Sequence, residues 1–191
     1  MRVATLLALV LMLAACRHDA VQKTDPVPLS VEAVGYYCQM DLLEHPGPKA
    51  QVHLDGLPGQ PLFFSQVRDA VAYSRLPEQS HPILAIWVSD MGAPGATWDD
   101  PGATNWIHAG DAHYVVGSSR AGGMGAPELV PFAHEQDAHA FAAVHGGTVL
   151  DLVTIPDSAV IAPVAEADGQ GGADDGFEAR LNALSAARKG D

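Results

Sequence analysis

Cysteine, positive charge and long apolar runs are all scarce in this sequence, and each scarcity excludes a class of protein. The 191 residues include two cysteines, Cys16 and Cys38, too few for a fold built on several disulfides. Ten Lys and Arg oppose 23 Asp and Glu, a formal net charge of −13. Because no basic run or basic–aromatic patch occurs, we expect no nucleic acid among the partners. The apolar run from Val3 to Ala15 is shorter than the roughly 20 residues that a membrane span needs.

The N-terminal segment instead has the pattern of an export signal. Arg2 precedes the apolar run, which ends in Leu13-Ala14-Ala15-Cys16, a sequence typical of bacterial lipoprotein signals that are cut before the cysteine. We predict that residues 1–15 are removed and that Cys16 carries lipid on the periplasmic side. The alternative is ordinary cleavage near Ala15, which would leave Cys16 as a free thiol. The aspartate that often signals inner-membrane retention does not follow Cys16, so we favour the outer membrane.

Both ends of the chain have the composition of flexible segments. The stretch from Arg17 to Val34 is polar and contains Pro26 and Pro28, which predicts a flexible tether over residues 16–35. Residues 166–191 form an acidic, Gly-rich tail, within which Phe177, Leu181 and Leu184 have the spacing of a short helix.

The chain between these ends has the same pattern twice. The first half predicts strands at residues 50–54, 61–64 and 83–88, with a helix over 66–74 capped by Ser65. The second half predicts strands at 113–117, 129–132 and 148–153, with a helix over 134–145 that Gly146-Gly147 ends. We therefore predict an α+β fold of two similar ββαβ modules, residues 36–92 and 106–165, joined by a Gly/Pro-rich connector over 93–105.

The motif with the clearest chemistry is Cys38-Gln39-Met40. On an extended segment, residues i and i+2 point to the same side, so a thiolate and a thioether could share one ion. Soft sulfur ligands of this kind select Cu(I) over Mg, Ca or Mn, and no Cys/His quartet suited to zinc is visible. The alternative is structural, because Cys and Met are both ordinary core residues.

A third ligand would come from Met124 or from one of nine histidines. Met124 lies in Gly122-Gly123-Met124-Gly125, a context too rich in glycine for a tightly packed core, which favours a functional sulfur. His45 and His113 lie near the first elements of the two modules and are the candidate imidazoles. The same Met-Gly-Ala-Pro sequence begins at Met91, which follows a strand and has no equivalent position in the repeat.

Motifs of catalysis are missing. The sequence has no G-x-S-x-G, P-loop or dinucleotide fingerprint, and Cys38 has no local signature of a cysteine nucleophile. We therefore expect a protein that is not an enzyme.

The sequence resembles the NosL family of periplasm-facing copper lipoproteins. The resemblance covers roughly residues 36–155. It rests on the C-x-M after a lipoprotein signal, Trp106-Ile107, the segment from His113 to Ser118, Met124-Gly125-Ala126, Pro131-Phe132 and His145-Gly146-Gly147. It implies two ββαβ modules, as in part of the organomercury lyases, and one Cu(I) held by Cys38, Met40 and Met124. It also implies that copper is delivered, with the Nos ABC-type transporter complex, for assembly of the copper–sulfur centres of nitrous oxide reductase.

Two other functions are compatible with parts of the pattern. A lipoprotein adaptor that binds only protein would keep Cys38 and Met40 in its core. A thiol-dependent organometal lyase would need a second thiol and a nearby acid, and with lipid on Cys16 only the thiol of Cys38 is available. We therefore expect a Cu(I) metallochaperone anchored to the membrane by its lipid.

Overall fold

The architecture of residues 21–161 is described by a computed structural model. The signal segment, Cys16 and the C-terminal tail lie outside these residues. The strands are β1 (Ala50–Leu54), β2 (Leu62–Phe64), β3 (Ile83–Ser89), β4 (Trp106–His108), β5 (His113–Val116), β6 (Val130–Phe132) and β7 (Thr148–Asp151), and the helices are α1 (Val67–Arg75) and α2 (Glu135–His145).

The strands form two antiparallel sheets that repeat one topology. The first sheet has the order β2-β1-β3-β4 and the second β6-β5-β7. In each sheet the first strand of the ββαβ unit is central, and the other two flank it. The predicted fold of two similar ββαβ modules is confirmed.

The segment that follows the connector adds a fourth strand to the first sheet. Trp106–His108, at the start of the segment that the sequence assigned to the second module, pairs with Trp87–Ser89 of β3. The C-terminal part of β3 is therefore paired on both sides, by β1 and by β4.

Helix α1 packs its apolar stripe against the first sheet as its periodicity predicts, but it is not capped by Ser65. Val67, Ala70 and Val71 are all buried. The N-cap is Gln66, whose side chain makes no capping bond. Instead, Oε1 of Glu128 accepts the N–H of Arg68 at 3.0 Å, which satisfies an amide that a local cap would otherwise bind. The predicted cap was wrong because a distant carboxylate performs the same task.

Helix α2 covers the second sheet. Ala138 is buried, and Phe141 and Ala142 pack against Val115, Val130 and Phe132. The helix ends at Gly146, whose φ of 72° belongs to the left-handed region that favours glycine. The end at Gly146-Gly147 is the one predicted from the sequence.

Much of the segment predicted as a flexible tether lies against the first sheet. Val27 N–H donates to Oε1 of Gln51 at 2.8 Å, and Gln51 Nε2 donates back to the Val27 carbonyl at 3.0 Å. Thr24 accepts from the indole of Trp87, and Leu29 is buried. These hydrogen bonds hold the chain from about residue 22 onward, so the flexible tether predicted there was wrong for residues 22–29.

The two modules share one core. The largest cluster of buried apolar residues includes Tyr73 and Val88 from the first module and Tyr114, Leu129 and Ile155 from the second. Within residues 21–161 no helix has the length and apolar character that crossing a membrane requires.

Candidate metal centre

Cys38 and Met40 lie on a tight hairpin. Val34 and Asp41 form an antiparallel bridge, Gly35 N–H donates to the Met40 carbonyl at 3.0 Å, and Leu42 N–H donates to the Ala33 carbonyl at 2.9 Å. Residues 36–39 therefore form the tip of the hairpin, which presents the thiol at a turn.

The tip closes through Gln39. Its φ is +54°, a left-handed value that is uncommon for residues other than glycine. Its N–H donates to the Gly35 carbonyl at 2.9 Å, and its side-chain Nε2 donates to the Tyr36 carbonyl at 2.6 Å. The expectation of an extended C-x-M segment was wrong, because these bonds fold the segment into a turn, and the alternation of side chains along a strand does not apply.

Glycine is required under the thiol. A Cβ at Gly35 would collide with Sγ of Cys38, so the sulfur lies directly over the backbone of the opposite hairpin strand. Cys38 is half-buried, whereas Met40 is 44% exposed.

An aromatic cluster holds the hairpin tip against the first module. The rings of Tyr36 and Tyr37 each lie within 6.4 Å, centroid to centroid, of the rings of Phe64 and Tyr73. The hydroxyl of Tyr37 donates to Glu78, and burial, with this carboxylate nearby, raises the pKa of Tyr37. The hairpin is therefore attached to β2, to α1 and to the loop after α1.

Met124 lies on a small loop of the second module that docks on the first. Its N–H donates to Oε1 of Gln66 at 2.9 Å, and its side chain is 47% exposed. The loop is closed by Gly122 N–H to the Ala126 carbonyl and by Gly125 N–H to the Gly122 carbonyl, both 2.8 Å. A Cβ at Gly123 would lie 2.6 Å from Cβ of His45, so this glycine permits the close approach of the two modules.

His45 connects the hairpin with the Met124 loop. It follows the short 3-10 turn of residues 42–44 at the base of the hairpin, and its Nδ1 lies 3.2 Å from the Gly123 carbonyl. A carbonyl only accepts, so Nδ1 carries a hydrogen, and in the neutral imidazole the lone pair is then on Nε2. That Nε2 is buried and has no hydrogen-bond partner within residues 21–161. His45 is therefore a preoriented imidazole beside Met124.

His113 has a different position. It lies on β5, and its Nδ1 is 3.2 Å from the carboxylate of Asp151 on β7. Its ring is therefore engaged at the second sheet.

Two buried ionisable groups lie beneath these loops. The ammonium of Lys49 donates to the carbonyls of His45 at 2.6 Å and Gly47 at 2.5 Å. Burial lowers the pKa of Lys49 to about 8, while the nearby Glu128 and Cys38 raise it in part. Burial raises the pKa of Glu128 to about 8. Lys49 therefore lies close enough to Cys38 and to Glu128 for its charge to interact with both side chains.

Sequence reasoning missed Gln66, Lys49 and Glu128. Each is fully buried, and Gln66 and Glu128 face Gly122, with Gln66 Nε2 and Glu128 Oε2 at 2.7 and 2.5 Å from where a Cβ would stand. Gln66 is 58 residues from Met124 and Glu128 is 60 from Arg68, so no local pattern marks them.

The donor set fits a soft metal better than a hard one. Within the described part of the chain, no three side chains among His, Cys, Asp and Glu are placed to hold a metal ion. The sulfurs of Cys38, Met40 and Met124 are soft donors, which suit Cu(I) better than Mg, Ca or Mn.

Comparison with known proteins finds relatives that are similar in sequence and one that is similar in structure. The family model described as NosL matches residues 26–160. The copper-binding lipoprotein NosL of Achromobacter cycloclastes is 56% identical over 173 residues, covering 91% of this chain and 89% of that protein. The copper-binding lipoprotein NosL of Stutzerimonas stutzeri is 35% identical over 166 residues, covering 84% and 83%. The crystal structure of the copper chaperone NosL from Shewanella denitrificans superimposes with a TM-score of 0.63 at 27% identity, covering 71% of this chain and 99% of that one.

Proposed function

The chain belongs to the NosL family, and from this premise we propose that it is a carrier of one Cu(I) ion, bound by Cys38, Met40 and Met124. The observation that carries the proposal is the meeting of two loops at His45. The hairpin of Cys38 and Met40 ends beside this residue, and the Met124 loop packs on it. The relatives are named as copper-binding lipoproteins and a copper chaperone, which supports a carrier and not an enzyme.

The exposure of the three sulfurs suits a cargo that must leave. The Cys38 thiolate would neutralise the charge of Cu(I), and the half-buried position of this residue shields the bond from water. Met40 and Met124 are 44% and 47% exposed, and they offer thioethers that exchange readily and carry no proton to release. A partner's sulfur or imidazole could then enter before the thioethers dissociate.

His45 is the imidazole that we propose as an additional ligand. Its Nε2 carries the lone pair, and the ring is positioned by the Gly123 carbonyl, next to Met124. His113, the other candidate from the sequence, is paired with Asp151 on the second sheet. His45 adjoins the loop that carries Met124, whereas His113 lies on β5 of the second sheet, and this position is why we favour His45.

We further propose that the chain is lipidated at Cys16 and works at the membrane facing the periplasm. The names of the two curated relatives as lipoproteins support the anchor. Delivery through the Nos ABC-type transporter complex to nitrous oxide reductase, and the outer membrane as the site of the anchor, are parts of the same proposal. A short tether would keep the carrier near membrane-bound partners and raise their effective concentration.

The proposal is tested by anaerobic Cu(I) titration of the chain from Arg17 to Asp191 against a competing chelator. We expect one equivalent to bind tightly in the wild type and the tight binding to be lost in Cys38→Ala. The control is Ser119→Ala, which replaces an exposed side chain in the second module. Failure of the wild type to compete with the chelator would contradict the carrier and favour an adaptor that binds only protein.

A further inference from the structure

The exposed apolar surface of the described residues is concentrated around Cys38. Six exposed, large apolar side chains lie on the hairpin or next to it in the sequence, and the Met124 loop contributes a seventh. We call these seven residues the hairpin face: Val31, Val34, Tyr36, Tyr37, Met40, Leu43 and Met124. The exposed large apolar residues elsewhere, among them Leu84, Val144 and Val153, are scattered along the chain. Exposed apolar side chains grouped on one segment mark an interaction site more often than isolated ones do.

The hairpin face is rigid before any partner arrives. Its tyrosines are packed in the aromatic cluster with Phe64 and Tyr73, and Tyr37 is bound to Glu78. Its backbone is closed by the hairpin bonds between Gly35 and Met40. A preorganised surface loses little conformational entropy on binding.

The exposed charges along the hairpin segment have one sign. Glu32 and Glu44 are exposed on either side of the hairpin, Asp41 lies at its base, and Glu78 adjoins Tyr37. No Lys or Arg occurs between Lys23 and Lys49, and Lys49 is 1% exposed. The border therefore carries negative charge that no neighbouring cation along this segment offsets.

We infer that the hairpin face docks a copper-accepting protein whose own apolar patch is bordered by Lys and Arg. This inference rests on the proposed function and deepens it by specifying the surface and charge of the partner. The apolar centre supplies affinity around the metal ligands, and the acidic border steers a basic partner and sets its orientation. Docking would then place the partner's ligands directly over Met40 and Met124.

A lipid surface is the other apolar ligand that a membrane-anchored protein meets, and the charges argue against it. Acidic side chains around an apolar patch are repelled by anionic headgroups, whereas interfacial segments are typically rich in Lys and Arg. A protein with a basic border is therefore the occupant that the structure favours.

The test measures association of the chain from Arg17 onward, which retains every strand and helix described above, with two purified proteins. These are the Nos ABC-type transporter complex and copper-free nitrous oxide reductase. The test variant is Glu32→Lys with Glu44→Lys. The matched control is Asp55→Lys with Asp111→Lys, which changes the net charge equally at exposed positions outside the hairpin face. A second pair compares Leu43→Ser on the face with Val144→Ser on α2.

We expect the test variant to associate with at least one of the two proteins about tenfold more slowly at low ionic strength, and the control to stay within about twofold of the wild type. Added salt should slow the association of the wild type and reduce the difference in association rate between the wild type and the test variant. Leu43→Ser should dissociate faster, and Val144→Ser should behave as wild type. Equal association of the two charge variants would overturn the inference, as would a wild type that binds neither protein or binds anionic vesicles instead. Cu(I) titration of the same variants needs no partner protein. It therefore shows whether a variant has lost the copper site, independently of whether it has lost docking.

Discussion

At the scale of single residues, the candidate centre depends on glycines and on one histidine as much as on its sulfurs. Gly35 leaves room for Sγ of Cys38, and Gly123 lets the Met124 loop approach His45. Gln66 then fixes the backbone of Met124 itself. These contacts set the positions of the sulfurs before any metal binds, which lowers the cost of organising the ligands.

The two identical Met-Gly-Ala-Pro sequences offer a matched comparison. Met124 is exposed on its loop, whereas Met91 packs against the core of the second module. We expect Met124→Leu to weaken Cu(I) binding about tenfold or more, about 1.4 kcal/mol, because it removes a ligand while keeping a similar volume. Met91→Leu should leave the affinity within about twofold. Chelator competition measures both, and equal effects of the two substitutions would argue against Met124 as a ligand.

At the scale of elements, the helices and strands follow local patterns, but their ends depend on distant groups. The interior of α1 obeys its apolar periodicity, while its N-terminus is satisfied by Glu128, which lies at the start of the chain leading into β6. The second oxygen of Glu128 has no partner within the described residues. An acid in such a position prefers its neutral form.

Glu128 therefore makes stability depend on pH. Its pKa is about 8 in the folded protein against 4.5 for a free side chain, so folding takes up a proton between these values. The stabilising neutral form is lost as the pH rises, and the free energy of unfolding falls by up to about 1.4 kcal/mol per pH unit from this group. Glu128→Gln keeps an oxygen that can accept the N–H of Arg68, but it cannot ionise. We therefore expect it to remove the decrease in the free energy of unfolding with pH that Glu128 causes. Urea unfolding of both proteins at pH 5.5 to 8 measures how the free energy of unfolding depends on pH. If this dependence is the same in the wild type and in Glu128→Gln, Glu128 is not its source.

At the scale of the whole molecule, the end of the second module is fastened to the first. The guanidinium of Arg75 on α1 donates to the carbonyls of Ile155 at 2.9 Å and Leu152 at 3.2 Å, and it pairs with Asp157 at 2.8 Å. Together with the shared core, this attachment makes the relative position of the hairpin and the Met124 loop a property of the complete fold.

Removal of that attachment should destabilise the molecule as one unit. We expect Arg75→Ala to lower the free energy of unfolding by about 1–2 kcal/mol, since it leaves two partly buried carbonyls without this donor. Asp157→Ala removes only an exposed ion pair, so its effect should stay below about 0.5 kcal/mol. Denaturant unfolding followed by tryptophan fluorescence compares them. A larger loss in Asp157→Ala than in Arg75→Ala would show that the ion pair, and not the carbonyl bonds, fastens the modules.

The sequence by itself determined the features that neighbouring residues encode. The ββαβ repeat follows from the spacing of apolar side chains, the end of α2 from Gly146-Gly147, and the soft character of the C-x-M motif from the chemistry of sulfur. Only the tertiary structure decided which distant groups meet. It folded the C-x-M segment into a hairpin turn, added β4 to the first sheet, and placed His45 against Gly123, 78 residues away. The physical reason is that periodicity specifies which face of an element is buried, whereas the partner of a buried polar group depends on how the assembled surfaces fit.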